Sequence, residues 1–299
     1  MCGMGERAAQ AKTGADSAQG EGLPAGVAAS VLLTVAGFDP SSGAGITADL
    51  QVFWNHGFYG VSAITALTVQ SARAVAGVEP VRGDFLRRTL DCLAADLPLS
   101  GAKIGMLGST EVVSEVAAFL RGAGIDRERI VLDPVLQSST GAELLEPSSA
   151  VENLRTELLP LVGWVTPNVN ELAALTGQPV PDRAEVPALA RELAYRAGPE
   201  LNVVVTGGHL DPPDDYLLEA SGRETWFPGK CIEARGIHGE HGTGCAFSSA
   251  LLCRLVLGDG PAEAVAGAKA WVVRRLQAAK PIRQRAVQRS PAKSSSSPG

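Results

Sequence analysis

The sequence lacks an excess of positive charge. Lys and Arg number 26 against 32 Asp and Glu in 299 residues, a formal net charge of -6. A duplex-binding surface needs cations clustered on one face, so nucleic acid is set aside as a partner. The single basic run, 280–293, carries Lys280, Arg283, Arg285, Arg289 and Lys293 with no acid between them, but it sits in a Ser- and Pro-ending tail and reads as solvated terminus. The chain also lacks a long apolar run. The uncharged window 22–38 contains Pro24 and three glycines and falls short of a membrane span. The flank before it mixes acids with Lys12, unlike a signal peptide. Paired cysteine spacing is absent too. The five cysteines, Cys2, Cys92, Cys231, Cys245 and Cys253, are odd in number and show no CxxC, which argues against a zinc site or a disulfide framework and for reduced thiols in the cytoplasm.

No internal repeat and no linker-like composition shift divides the chain. Residues 1–28 and 281–299 lack an apolar period and are expected as loose tails around one domain at 29–280. Within it, SVLLTVAG, GAKIGMLG, RIVLDPV, GWVTPN and LNVVVTGG are brief, apolar and β-branched, each ending in Gly, Pro, Asn or Asp. They read as buried strands of a mostly parallel sheet. Helical spacing marks 84–97, 111–121, 150–161 and 186–196 between them. Strands separated by helices are βαβ units, so the class is α/β. YLLEASGRETWFPG reads as a hairpin about Ser221 and Gly222 at a sheet edge. In such sheets ligands gather at the carboxyl ends of strands.

The stretch HGTGCAFSSALLCRLVL sets Gly242, Thr243 and Gly244 before an apolar helix. The first amides of a helix have no internal partner, and glycines let a phosphate reach them. The loop is therefore a candidate cradle for a transferring phosphoryl group. Cys245 falls in the first turn, where the positive helix end is expected to lower a thiol pKa and supply a base. Its other reading is a small buried hydrophobe, which is also the reading of Cys253. His238 and His241 suggest a Cys/His pair, with no partner in view to orient the ring.

A second stretch, VAGFDPSSGAGITADLQVFWNHGFYGVSAITALTVQ, runs a strand into a glycine loop and then a helix. Together with HGTGC, and with KIGMLGS, LDPV, TPNVNELAALTG and TGGH in order across 33–276, it resembles the hydroxymethylpyrimidine and phosphomethylpyrimidine kinases of thiamine biosynthesis, in the ribokinase-like superfamily. The resemblance implies a three-layer α/β sandwich whose central, mostly parallel sheet has helices on both faces. It implies transfer of the γ-phosphoryl of ATP, with Mg²⁺, to a pyrimidine alcohol and then to its monophosphate. It also implies a homodimer.

Carried over by position, Gly37, Ala44, Asp49, Thr68, Gln70 and Met106 match the family's pyrimidine pocket. Gln70 can both donate to and accept from an aminopyrimidine edge, and Ala44 and Met106 supply apolar walls. Gly242, Thr243 and Gly244 match the anion hole, and Cys245 matches the base, a position held by aspartate in the superfamily's sugar kinases. Asn168 and Glu171, with Asp133 and Thr206, match the nucleotide segment. Asp133 and Glu171 would order Mg²⁺ through water. Alternatives stay open: Met106 as core, Asp49 as a favourable acid in a first helical turn, Asn168 and Glu171 as a capping box. Thr206 and Ser139 stand where many members carry lysine, which bears on whether both phosphorylations occur. Rival readings are a pyridoxine or pyridoxal kinase, a silent pyrimidine-binding protein, and a thiol hydrolase built on Cys245 and His241.

Overall fold

Strand β1 (Val31–Phe38) is buried along nearly its whole length, as a strand covered on both faces must be. The computed structural model of the protein describes residues 30–71, 74–137, 149–230 and 241–278. The expected tails, the basic run, Cys2, Cys231, His238 and Ser139 lie outside them. β1 leads through a glycine loop to α1 (Gly45–Asn55), β2 (Tyr59–Ser71) and β3 (Ala74–Pro80). Then follow α2 (Gly83–Asp96), β4 (Leu99–Ile104), α3 (Thr110–Gly122), β5 (Ile130–Leu132), α4 (Ser149–Asn153) and β6 (Trp164–Val165). The remainder runs α5 (Val169–Thr176), α6 (Val186–Ala197), β7 (Asn202–Val205), β8 (Asp215–Leu218), β9 (Glu224–Phe227), α7 (Thr243–Val256) and α8 (Pro261–Ala278).

The strands form one sheet in the order β3-β2-β1-β4-β5-β6-β7-β8-β9. Its centre, from β2 to β7, is parallel, and β3, β8 and β9 are antiparallel at the two edges. Alternation along the strands sends neighbouring side chains to opposite cores. Leu33, Val35, Leu132, Val203 and Val205 pack with α2, α3, α5 and α6. Leu32, Val131, Trp164 and Val204 pack with α1, α7 and α8. The result is the three-layer sandwich expected from the alternation of strands and helices.

Two local differences have physical causes. The single helix expected at 150–161 is α4 followed by a π-helical turn at Leu154–Leu158 and a 3₁₀ turn at Leu159–Leu161. Pro160 has no N–H to continue an α-helical ladder. The hairpin β8–β9 was legible, whereas β2–β3 at the opposite edge was not, because β2 leaves Leu67 and Val69 exposed at 50% and 68% instead of alternating toward a core.

Candidate active site

Between β1 and α1 the chain turns on Asp39. Its Oδ1 accepts from the Ser41 amide at 2.8 Å, and its Oδ2 accepts from the Gly43 amide at 3.2 Å and the Ala44 amide at 2.9 Å. The same Oδ2 lies 3.0 Å from His241 Nε2. Burial works against the charge of this carboxyl, but the His241 ring and the backbone amides hold it well below the usual carboxylate range. Gly45 has φ 61°, and a Cβ there would lie 2.2 Å from the Gly37 carbonyl oxygen. The loop is thus folded back onto the end of β1.

A second glycine loop meets the first. Gly242, the residue before α7, has φ 77°, and a Cβ on it would lie 1.9 Å from the carbonyl oxygen of Gly43. Only glycine permits that approach. Gly242 brings no side chain to cap α7, and Gly242, Thr243 and Gly244 stand at a helix start beside the Asp39 loop.

The thiol of Cys245 differs from expectation. Burial pushes it up to about 12; Lys103 and the Gly45 backbone lower it, while the charges of Asp133 and Asp49 raise it further. The helix end acts locally, whereas desolvation and two carboxylates from other elements outweigh it. Cys245 is a protonated thiol at neutral pH in this state. His241 does have an orienting partner, Asp39, and its ring is also 3.0 Å from the Gln70 amide. It is bound to the Asp39 loop and to Gln70 of β2.

Asp49 lies in α1 and is fully buried. It accepts from Thr34 Oγ at 2.6 Å and Ser249 Oγ at 2.7 Å, and both oxygens are within 3.1 Å of Lys103 Nζ. The carboxylate that the resemblance places in the pyrimidine pocket is here a buried counter-ion of Lys103. It is no cap either, since α1 has no acid in its first turn. The remaining pocket residues do gather. Gly37 faces Met106, whose sulfur would lie 2.9 Å from a Cβ at that glycine. Met106 packs with Ala66, Val75, Val78 and Val135 in a small separate cluster. Thr68 Oγ lies 2.9 Å from the Phe38 carbonyl and 3.2 Å from the Gln70 side chain. Ala44 is in the Asp39 loop.

Asp133 follows β5 and is 5% exposed. Ser248 Oγ of α7 donates to it at 3.1 Å, and Lys103 Nζ is 3.7 Å away. Burial raises this carboxyl's pKa; Lys103 lowers it and Asp49 opposes Lys103. Glu171 is pushed up to about 8, first by burial and then by the charge of Asp133. The capping box is present: Asn168 Oδ1 accepts from the amides of Asn170 and Glu171 at 2.9 Å each, and Glu171 Oε2 accepts from the Asn168 amide at 2.9 Å. Thr206 bridges to this segment, its amide 2.9 Å from the Pro167 carbonyl. A buried carboxyl raised in part by the charge of a second buried carboxylate is, with it, a donor set suited to a hard divalent cation such as Mg²⁺.

Sequence reading singled out neither Lys103 nor Asp39. Lys103 stood in view, since a lysine inside the apolar run GAKIGM must find counter-charges if buried. Asp39 had the signature of an Asx turn, Asp before Pro, Ser and Gly.

The phosphomethylpyrimidine kinase family model matches residues 39–289. The thiamine biosynthesis bifunctional protein ThiED of Geobacter sulfurreducens is 38% identical over 253 residues, 84% of this chain and 50% of that protein. The hydroxymethylpyrimidine/phosphomethylpyrimidine kinase of Rhizobium meliloti is 39% identical over 251 residues, 83% of this chain and 91% of that protein. Among solved structures, phosphomethylpyrimidine kinase from Clostridium difficile matches with a TM-score of 0.71 at 32% identity, covering 82% of this chain and 99% of that one. Pyridoxal kinase from Staphylococcus aureus in complex with pyridoxal matches with a TM-score of 0.73 at 26% identity, covering 84% and 89%. The chain spans half of the bifunctional relative and nearly all of the single kinase. Because the family match runs from the Asp39 loop past the end of α8, taking in both glycine loops and the sheet beneath them, the chain belongs to the phosphomethylpyrimidine kinase family of ribokinase-like phosphotransferases.

Proposed function

We propose that the chain transfers the γ-phosphoryl of ATP to the hydroxymethyl oxygen of 4-amino-5-hydroxymethyl-2-methylpyrimidine, and then to the monophosphate, giving the diphosphate used in thiamine biosynthesis. The observation that supports this reading is the close approach of Gly242 to Gly43, which brings the glycine loop before α7 against the Asp39 loop beside Gly37 and Ala44. In that pocket Gly37, Ala44 and Met106 would flank the ring, and Thr68 and Gln70 would meet its polar edge. Amides of Gly242, Thr243 and Gly244 would hold the oxygens of the migrating group, where one donor is typically worth about 10²- to 10³-fold in rate. Asn168 and Thr206 would contact the nucleotide phosphates. Asp133 and Glu171 would hold Mg²⁺, through water, and the ion when bound neutralises phosphate charge.

Cys245 would take the hydroxyl proton. It can do so only as the thiolate, so its own proton must first pass to solvent; in a loose transition state most of the catalysis is positioning and charge stabilisation, and a small thiolate fraction is compatible with transfer. The same proposal includes action in the cytoplasm as a homodimer, for which the exposed Leu67 and Val69 on β2 offer apolar surface at a sheet edge. Purified chain with ATP and Mg²⁺ should phosphorylate the pyrimidine alcohol and its monophosphate in preference to pyridoxal. Cys245→Ser should keep the fold and lose about 10²- to 10⁴-fold in turnover. Pyridoxal preferred over the pyrimidine would favour the second reading, a vitamin B6 kinase, for which the match to the Staphylococcus aureus enzyme speaks.

A further inference from the structure

The proposed reaction gives His241 no task, yet its ring joins the two loops. Its Nε2 is 3.0 Å from Asp39 Oδ2 and 3.0 Å from the amide end of Gln70, placed there as Nε2. The Asp39 carboxylate can only accept, so His241 Nε2 carries a proton and donates to it. A protonated ring nitrogen cannot accept, and the Gln70 atom facing it must then be the oxygen. Exchanging the amide oxygen and nitrogen leaves the distances unchanged, since partners alone distinguish the two atoms. After the exchange the Gln70 nitrogen faces Thr68 Oγ at 3.2 Å, and Thr68 spends its single proton on the Phe38 carbonyl at 2.9 Å. The Nε2 proton is then shared between Asp39 Oδ2 and the Gln70 oxygen, and each group faces one of matching polarity. The opposite arrangement sets a ring lone pair against a carboxylate.

We infer that His241, held by Asp39, is a positioning residue that fixes the orientation of the Gln70 amide and thereby selects an aminopyrimidine over a pyridine alcohol. Thr68 and His241 each occupy one side of the amide. Its remaining N–H and oxygen lone pair form an ordered donor-acceptor edge, which complements a ring nitrogen beside an exocyclic amine. A pyridine alcohol has no such amine. The inference rests on the proposed function for its substrate and deepens it.

His241→Phe keeps ring volume and removes the donor. The expected result is a loss of about tenfold in kcat/KM for the pyrimidine alcohol, chiefly in KM, with KM for ATP unchanged. Preference over pyridoxal should shrink by the same factor. In a Gln70→Leu background His241→Phe should change that preference no further, because it acts through Gln70. Equal losses for both alcohols, or additive effects of the two substitutions, would overturn the inference. Nitrogen NMR of the unsubstituted chain tests it without turnover or variants: His241 Nε2 must be protonated, and a bare Nε2 sinks the idea even if the kinase assay succeeds. Phosphorylation of neither alcohol would instead remove the functional reading, with the protonation of Nε2 still deciding whether His241 orients Gln70.

Discussion

Two groups of buried charges stand near α7 in opposite states: Asp49 with Lys103, and the acids Asp133 and Glu171. Asp49 is finished: two hydroxyls and the Lys103 ammonium supply donors to both oxygens, at 2.6 to 3.1 Å. Asp133 and Glu171 are short of a cation. One ammonium, shared at 3.7 Å and closer to Asp49, is what Asp133 receives, and Glu171 is raised to about 8. The difference separates framework from chemistry. An acid satisfied by the protein stiffens its surroundings, whereas a buried acid raised by a neighbouring carboxylate is a candidate seat for a ligand's positive charge.

The largest expected effect tests the finished pair. Lys103→Met leaves Asp49 buried without its counter-charge, which should cost about 3–5 kcal/mol in denaturant unfolding. Adding Asp49→Asn should return a large part of that loss, because the uncompensated charge and not the missing contact is the penalty. A loss below about 1 kcal/mol for Lys103→Met would erase the distinction between the two groups.

The unfinished pair should respond to pH, and in the opposite direction to an ordinary salt bridge. Glu171 is raised from 4.5 to about 8, so between those values the folded chain binds more protons than the unfolded one. Stability contributed by this group is then present at the acid end and lost as pH rises through the window. Glu171→Gln cannot ionise, so its stability relative to the unsubstituted chain should improve from about pH 5 to about pH 8, by on the order of one to a few kcal/mol. Mg²⁺ should stabilise the unsubstituted chain at the upper end and the variant much less. A pH-independent difference would place Glu171 with Asp49 as framework.

This contrast was only partly legible in the sequence. Strands β1, β4, β5, β6 and β7 showed themselves because a strand buried on both faces reads as a short apolar run. The loop-helix elements that carry Asp39 and Cys245 showed themselves through glycine, whose backbone freedom has few other uses. What was hidden is non-local. Lys103 meets Asp49 across 54 positions, a pairing set by how β4 lies beside β1 in the sheet. The thiol of Cys245 was read from its own helix, but Asp133 and Asp49 reach it from β5 and α1. His241 had no visible partner for the same reason, since Asp39 is 202 positions away.

The smallest effect sharpens the comparison by holding chemistry fixed and changing only burial. Arg87 Nε and Asp91 Oδ1 are 2.8 Å apart on α2, closer than Lys103 and Asp49 at 3.0 Å, yet their side chains are 38% and 52% exposed. Water screens this pair and solvates each partner once the other is gone. The order of charges adds little, because an acid four residues before a base suits the helix dipole better than the reverse seen here. Arg87→Ala should therefore cost no more than about 0.5 kcal/mol, fading as salt is raised. A loss on the scale of Lys103→Met would show that distance, not desolvation, governs these ion pairs, and the division between Asp49 and the acids Asp133 and Glu171 would lose its physical basis.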